Sequence, residues 1–262
     1  MQTHLTDIQV QQFIRDGYTR IDHAFPRETA MEAQAILWKE TGCDPANPAT
    51  WTQPVVRLGY YGQEPFRQAV NTPLLRNAFD QLAGEGNWYP RGDLGTFPVR
   101  FPSAENPGDD GWHVDASFPG DDPADFFAYR VNVYSKMRAL LMLFLFSDVE
   151  AADAPTRIRA GSHLDIARLL QPYGEAGLGF MELAGMLDVS AHRPEVSATG
   201  EAGTVYLCHP FLVHAAQPHH GSRPRFLAQP PLVARKDFII EGKNGAYNPV
   251  EQAIRLGLGI HP

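Results

Sequence analysis

The chain has 262 residues, 44% of them hydrophobic and 20% charged, with a formal net charge of −8. That mix suits one sizeable globular core, and the acidic balance argues against nucleic acid or an anionic membrane as partner, since both need a basic footprint. Two cysteines, Cys43 and Cys208, are too few for a disulfide framework or for a zinc site built on thiolates. Met1-Gln2-Thr3-His4 is not the start of a signal peptide, and no run approaches the ~20 apolar residues of a membrane span. A soluble cytoplasmic protein is expected.

Thr6 and Gln9 have capping-box spacing, Val10, Phe13 and Ile14 share one helical face, and Gly17 is placed to end that helix. A short strand over 18–21 follows, then a helix over 27–40 with Ala33, Ile36 and Leu37 as its apolar stripe. Residues 43–51, rich in Pro, Asn and Asp, read as a loop. A third helix over 71–82 has Pro73 in its first turn and Leu74, Leu75, Phe79 and Leu82 on its buried side.

After Gly84 the texture changes. Short apolar or alternating runs at 96–101, 112–115, 128–134, 139–146, 156–159, 205–208, 211–215 and 225–232 recur between Pro, Gly and Asp clusters. This predicts a mainly β sandwich or barrel with flanking α-helices rather than a βαβ sheet. A helix beginning near Gly161-Ser162-His163 interrupts the series, and a last helix spans 250–256. No repeat or linker divides the chain, so one domain is expected, with a helical part over 1–83, a β core over 84–235 and an extension over 236–262.

The chemistry gathers around Gly111-Trp112-His113-Val114-Asp115. On a strand, His113 and Asp115 project from the same face and can take adjacent positions on one metal ion. His-x-Asp alone is common, so a second histidine is needed. The stretch 203–232 contains His209, His214, His219 and His220, followed by Arg223 and Arg225. A turn at Gly221-Ser222 would pair 211–215 with 225–232 and set His214 opposite Arg225 on one face. His209, before Pro210, reads as packed or bonded to backbone, and His219 and His220 at the tip read as solvated. His163 reads as a capping or packing residue, while His4 and His261 lie at the termini and His23 and His192 in polar surroundings.

Two histidines and one carboxylate form the facial arrangement of non-haem iron(II) oxygenases, and catalytic zinc sites also use such a set. A guanidinium nearby favours the first, because its planar fork suits the far carboxylate of a dicarboxylate cosubstrate.

With these residues in view, the chain resembles the phytanoyl-CoA dioxygenase family of Fe(II)/2-oxoglutarate-dependent oxygenases. The matching pieces are Leu5-Thr6 through Gly17-Tyr18, His113-Val114-Asp115, Pro155 through His163, and His214 followed eleven residues later by Arg225 within Ser222-Arg223-Pro224-Arg225. The resemblance implies a double-stranded β-helix core, Fe(II) held by His113, Asp115 and His214, and 2-oxoglutarate held through its C5 carboxylate by Arg225. It also implies O2 as oxidant, with succinate and CO2 released.

Relatives often carry a serine two residues after the distal histidine; here it is Ala216, which leaves Thr96 or Arg100 as candidate second donors to 2-oxoglutarate. Halogenating relatives replace the ligand carboxylate with a small residue, so Asp115 favours hydroxylation or another oxidation. Phe118, Phe126, Phe127 and Tyr129 are candidate lid residues. Arg130 and Asn132 share a strand face that would anchor an anionic substrate if turned inward and form a solvated edge if turned outward. Arg57, Tyr60 and Tyr61 are rim candidates or surface packing, and Trp112 packs behind the metal strand. The competing readings are a redox-inert enzyme with the same ligands, such as a zinc hydrolase or a cupin-like isomerase, and a binding protein whose histidines belong to the core.

Overall fold

The computed structural model describes residues 2–241 and 247–260, with Phe126 described in its backbone only. The Phe126 lid assignment and the terminal His261 therefore lie outside the described side chains. The helices are α1 (Asp7–Asp16), α2 (Arg27–Thr41), α3 (Glu64–Val70), α4 (Pro73–Ala83), α5 (Ser162–Leu170), α6 (Phe180–Ala184) and α7 (Pro249–Gly257). The strands are β1 (Tyr18–Ile21), β2 (Val55–Leu58), β3 (Phe97–Arg100), β4 (Arg130–Val131), β5 (Leu140–Leu145) and β6 (Arg157–Arg159), then β7 (Leu178–Gly179), β8 (Glu195–Ser197), β9 (Val205–Cys208), β10 (His214–Ala215), β11 (Leu227–Ala228) and β12 (Pro231–Leu232). The architecture is mixed, with antiparallel sheets covered by helices. None of the described helices is long and apolar enough to cross a membrane.

The larger sheet runs β1-β9-β5-β11, with β12 also paired to β5; the smaller one runs β10-β6-β8. β5 reads Leu-Leu-Met-Leu-Phe-Leu because it is covered on both faces. Leu140, Met142 and Phe144 meet the helical layer, where Phe13, Leu37, Phe66, Leu75, Phe79 and Leu82 are buried. Leu141, Leu143 and Leu145 meet Ile158 of the smaller sheet, together with Tyr206, Cys208 and Leu227. A strand with one solvated face would alternate; this one cannot.

The predicted helices over 7–16, 27–40, 71–82 and 250–256 appear within one or two residues, and Thr6 with Gln9 forms the capping box. Two further helices, α3 and α6, lie in stretches that carry no clear periodic stripe. Several predicted strands shrink. Residues 112–115 hold only a bridge at His113, and 128–134 holds only β4.

The predicted hairpin between 211–215 and 225–232 is not formed. β10 pairs with β6 in the smaller sheet, while β11 and β12 pair with β5 in the larger one. The intervening residues cross between layers rather than turning back in one plane. The tip reading of His219 also fails. Its ring is buried, Nδ1 accepts the Gly221 N–H at 3.1 Å and Nε2 faces the Arg223 carbonyl at 2.9 Å. His220 is exposed as expected.

Two other histidines stitch helices to the core. The His163 Nε2–H donates to the Ile14 carbonyl at 3.0 Å, tying α5 to α1. His209 accepts the Phe211 N–H at Nδ1 and turns Nε2 to the Val250 carbonyl on α7, with its ring 4.9 Å from that of His163. Gly17 caps α1 at φ +81°, and a Cβ there would run into the His163 ring, so a side chain is excluded twice over. Burial drives the His163 imidazole down to about 4 and that of His209 well below its usual value.

Both histidines are thus neutral in the folded chain and take up a proton on unfolding near pH 6.5, so the unfolded form binds more protons between those values. Stability is full above pH 6.5 and falls as pH drops toward 4, with His163 alone accounting for roughly 3 kcal/mol. Urea melts from pH 7 to 4.5 should show a clearly shallower fall for His163→Gln than for the wild type. Identical pH dependence would refute this role.

Candidate metal centre

His113 and His214 face each other across a backbone bridge. Each donates its N–H to the other's carbonyl, at 2.9 and 3.0 Å, and the two rings lie 4.3 Å apart. In each ring, Nδ1 lies against a carbonyl two residues earlier, Gly111 at 2.9 Å and Leu212 at 3.0 Å. A carbonyl can only accept, so Nδ1 carries the proton in each ring, and in the neutral imidazole Nε2 then presents a lone pair.

Both lone pairs point toward the same acid. Asp115 Oδ1 is 3.8 Å from His113 Nε2 and 3.6 Å from His214 Nε2, and the three ligand atoms all lie within 4.8 Å of one another. Among the described residues this is the group of His, Cys, Asp and Glu side chains placed to hold one cation.

Arg138 engages the other oxygen of the acid. Its Nη1 donates to Asp115 Oδ2 at 3.0 Å and its Nη2 to the Ala116 carbonyl at 2.6 Å. Burial pushes the Asp115 carboxyl up, but Arg138, with His214 and His113, outweighs it and holds the group below the usual carboxylate range. The His214 imidazole is driven down to about 4, first by burial and then by His113. An ionised carboxylate and a neutral imidazole are the forms that bind metal. Nothing in the sequence marks Arg138. It follows a turn in which Ser135 and Met137 have positive φ, and it lies more than twenty residues from the motif.

Trp112 lies behind this group, its ring under the guanidinium groups of Arg157 at 4.7 Å and Arg159 at 4.3 Å. Arg157 Nη2 also donates to the Asp110 and Ala216 carbonyls, at 2.9 and 3.2 Å, fastening the His113 segment to that of His214.

A cavity of about 460 Å³ opens beside the cluster, with His113 and His214 on its wall. Arg100 and Arg225 line it too and are a second bridged pair: each donates its N–H to the other's carbonyl, at 3.1 and 2.8 Å. Two cations directly opposite across a bridge repel. Both are 2% exposed, and the Nε of each has no partner among the described residues. Arg225 is otherwise held by the carbonyls of Ala154 and, at 3.2 Å, Pro98; burial and Arg100 bring it down to about 9. Arg100 donates to Asp109 Oδ1 at 2.6 Å, and Asp109 Oδ2 accepts from Arg57 at the same distance. The wall carries more positive charge than its one carboxylate balances.

Thr96, Thr156, Phe127, Phe180, Ala216 and Gln229 also line the cavity. Thr156 is buried beside Ala216 on this wall. The other substrate candidates do not converge on the cavity. Arg130 donates to the carbonyls of Ala176 and Gly177, and Asn132 is buried, donating to the Glu175 carbonyl and accepting the Lys136 N–H. Tyr129 turns its hydroxyl to the Pro123 carbonyl. The shared face of 130 and 132 is thus neither a pocket wall nor a solvated edge. It fastens β4 to the segment before β7.

The chain is similar in fold to the α-ketoglutarate-dependent carbocyclase SnoK from nogalamycin biosynthesis, with 16% identity, a TM-score of 0.57, and coverage of 88% of this chain and 84% of that one. Apo EctD from S. alaskensis matches at 21% identity and TM-score 0.54, over 88% and 76% of the two chains. HygX from Streptomyces hygroscopicus, with nickel, 2-oxoglutarate and hygromycin B bound, matches at 16% identity and TM-score 0.54, over 86% of each. At these identities the likeness is one of fold. No curated protein matches the chain in sequence. The family model for phytanoyl-CoA dioxygenase (PhyH) matches residues 43–227, most of the chain and all of His113, Asp115, His214, Arg100, Arg138 and Arg225, and the chain belongs to that family.

Proposed function

We propose that this protein is an Fe(II)- and 2-oxoglutarate-dependent dioxygenase on a double-stranded β-helix core, hydroxylating an unactivated C–H of a small molecule. The observation that carries this reading is the buried Arg100–Arg225 pair on the wall of the cavity that also holds His113 and His214. Facing guanidinium groups with orphaned Nε atoms suit a carboxylate, which would replace their repulsion with charge-assisted hydrogen bonds. A dicarboxylate cosubstrate fits that wall at one end and the metal ligands at the other. A redox-inert hydrolase has no comparable need for two buried cations.

His113, Asp115 and His214 would hold the iron through Nε2, Oδ1 and Nε2, and Arg225, with Arg100 beside it, would hold the C5 carboxylate. Iron with 2-oxoglutarate and O2 supplies an oxidant able to take hydrogen from such a C–H, with succinate and CO2 as co-products. The protein's own part is positional. The carbonyls of Gly111 and Leu212 fix both imidazole tautomers. Arg138 ties down Asp115 Oδ2, which keeps the acid ionised and leaves Oδ1 to face the two histidines. Thr156 supplies the hydroxyl that Ala216 lacks, and Phe180, whose ring stands 6.2 Å from that of His113, keeps water off that side.

Anaerobic addition of Fe(II) and then 2-oxoglutarate should raise a weak visible charge-transfer band, and air should then release succinate. His214→Ala should abolish the band while His209→Ala keeps it; the reverse would reassign the distal ligand. Turnover that needs neither O2 nor 2-oxoglutarate would favour the redox-inert enzyme. Arg138→Leu should weaken metal binding about 10–100-fold, the usual cost of losing a group that orients a ligand. Calorimetric titration with Co(II) checks this, Arg138→Lys should recover part of the loss, and unchanged affinity would remove Arg138 from the site.

A further inference from the structure

We infer that the organic substrate is an apolar, arylalkyl-type carboxylate whose acid group is received by Arg57, an inference that rests on the oxygenase reading above. Three guanidinium groups, those of Arg57, Arg100 and Arg225, line the cavity against one carboxylate, Asp109. A cosubstrate carboxylate bound at Arg225 and Arg100 balances one cation and Asp109 a second. One positive charge is left over, and it falls at the mouth, where the Arg57 side chain is 62% exposed.

The backbone sets this arrangement. β2 pairs with β3 so that Arg57 lies opposite Pro98 and Val55 opposite Arg100. Residues two apart share a face, so Arg57, Pro98 and Arg100 all turn to the cavity. Arg57 is therefore on the same strand face as the cosubstrate wall, one step nearer to solvent. Its bond to Asp109 is a part-exposed ion pair, which holds weakly and exchanges readily for an incoming anion. Asp109 retains Arg100, whose guanidinium is buried and binds it at the same 2.6 Å.

Part of the opening is apolar. Phe127 and Phe180, their rings 6.2 Å apart, line the cavity with Leu58, and Phe180 also borders His113. A flat hydrocarbon body lying along these rings reaches toward the metal ligands while its acid end meets Arg57. A neutral polar substrate would leave the Arg57 charge uncompensated, and a cationic one would be repelled by it.

The test is binding, not turnover. Protein loaded anaerobically with Zn(II) and saturating 2-oxoglutarate is titrated, by ligand-observed NMR, with phenylacetate, 3-phenylpropionate and 4-phenylbutyrate and with the primary amide of each. At least one acid should bind, at least tenfold more tightly than its amide, without displacing 2-oxoglutarate. Arg57→Gln should erase that discrimination and Arg57→Lys should restore most of it. Amides binding as well as acids, no member binding, an acid that displaces 2-oxoglutarate, or discrimination that survives Arg57→Gln would each overturn the inference. 2-Oxoglutarate is followed in the same samples; its failure to bind wild-type protein would mark failure of the oxygenase reading itself, and this inference would fall with it.

Discussion

Two pairs of mutual backbone hydrogen bonds, His113 with His214 and Arg100 with Arg225, join residues more than one hundred positions apart in the chain. Each pair lies at the edge of a different sheet: the first extends β10-β6-β8, and the second links β3 to the residues just before β11. Because the two layers share the core packed on both sides of β5, their edges are held at a fixed separation. The cavity spans that separation, with imidazoles on one side and guanidinium groups on the other. A small dicarboxylate suits the charge of such a site, which is why the fold and the chemistry cannot be argued apart.

The charge arrangement has a cost in the unliganded protein. Facing arginines with orphaned Nε atoms are unfavourable, and Arg225 is pushed to about 9 by burial and by its neighbour. Such a cluster is tolerable when the surrounding structure holds it rigidly, and here backbone carbonyls of Ala154 and Pro98 and the carboxylate of Asp109 do so. The acid at Asp115 is handled in the opposite way, with one oxygen satisfied by Arg138 and the other left facing two lone pairs. A preference for anions at one wall and for a cation at the other follows from these side chains alone.

Much of the site was legible in the sequence because spacing two apart keeps His113 and Asp115 on one side even where no regular strand forms. His214 and Arg225 were legible as residue types but not in their relation. The turn signals at 221–222 suggested one hairpin, whereas burial demands of both layers send the two segments to different sheets. His219 looked solvated for the same reason, and its burial follows from the crossing. Arg138 and Asp109 could not be read, since each acts through a partner far away in sequence and neither sits in a periodic pattern. Alternation of Arg130 and Asn132 with valines left open an inward anchor or a solvated edge; both side chains instead satisfy backbone carbonyls of a neighbouring segment. The neutral buried His163 and His209 were legible as packing residues and the helices they join as helices, whereas the carbonyls they reach, on Ile14 and Val250, lie too far along the chain to be read.

The convergence of three side chains from two distant segments on one cation is the claim on which the rest depends. Crystals grown anaerobically with Fe(II) and 2-oxoglutarate, measured on either side of the iron absorption edge, test it most directly. A single anomalous peak bonded to His113 Nε2, Asp115 Oδ1 and His214 Nε2 is expected, with the dicarboxylate running from it to Arg225. An iron peak elsewhere, or a dicarboxylate that does not reach Arg225, would contradict it.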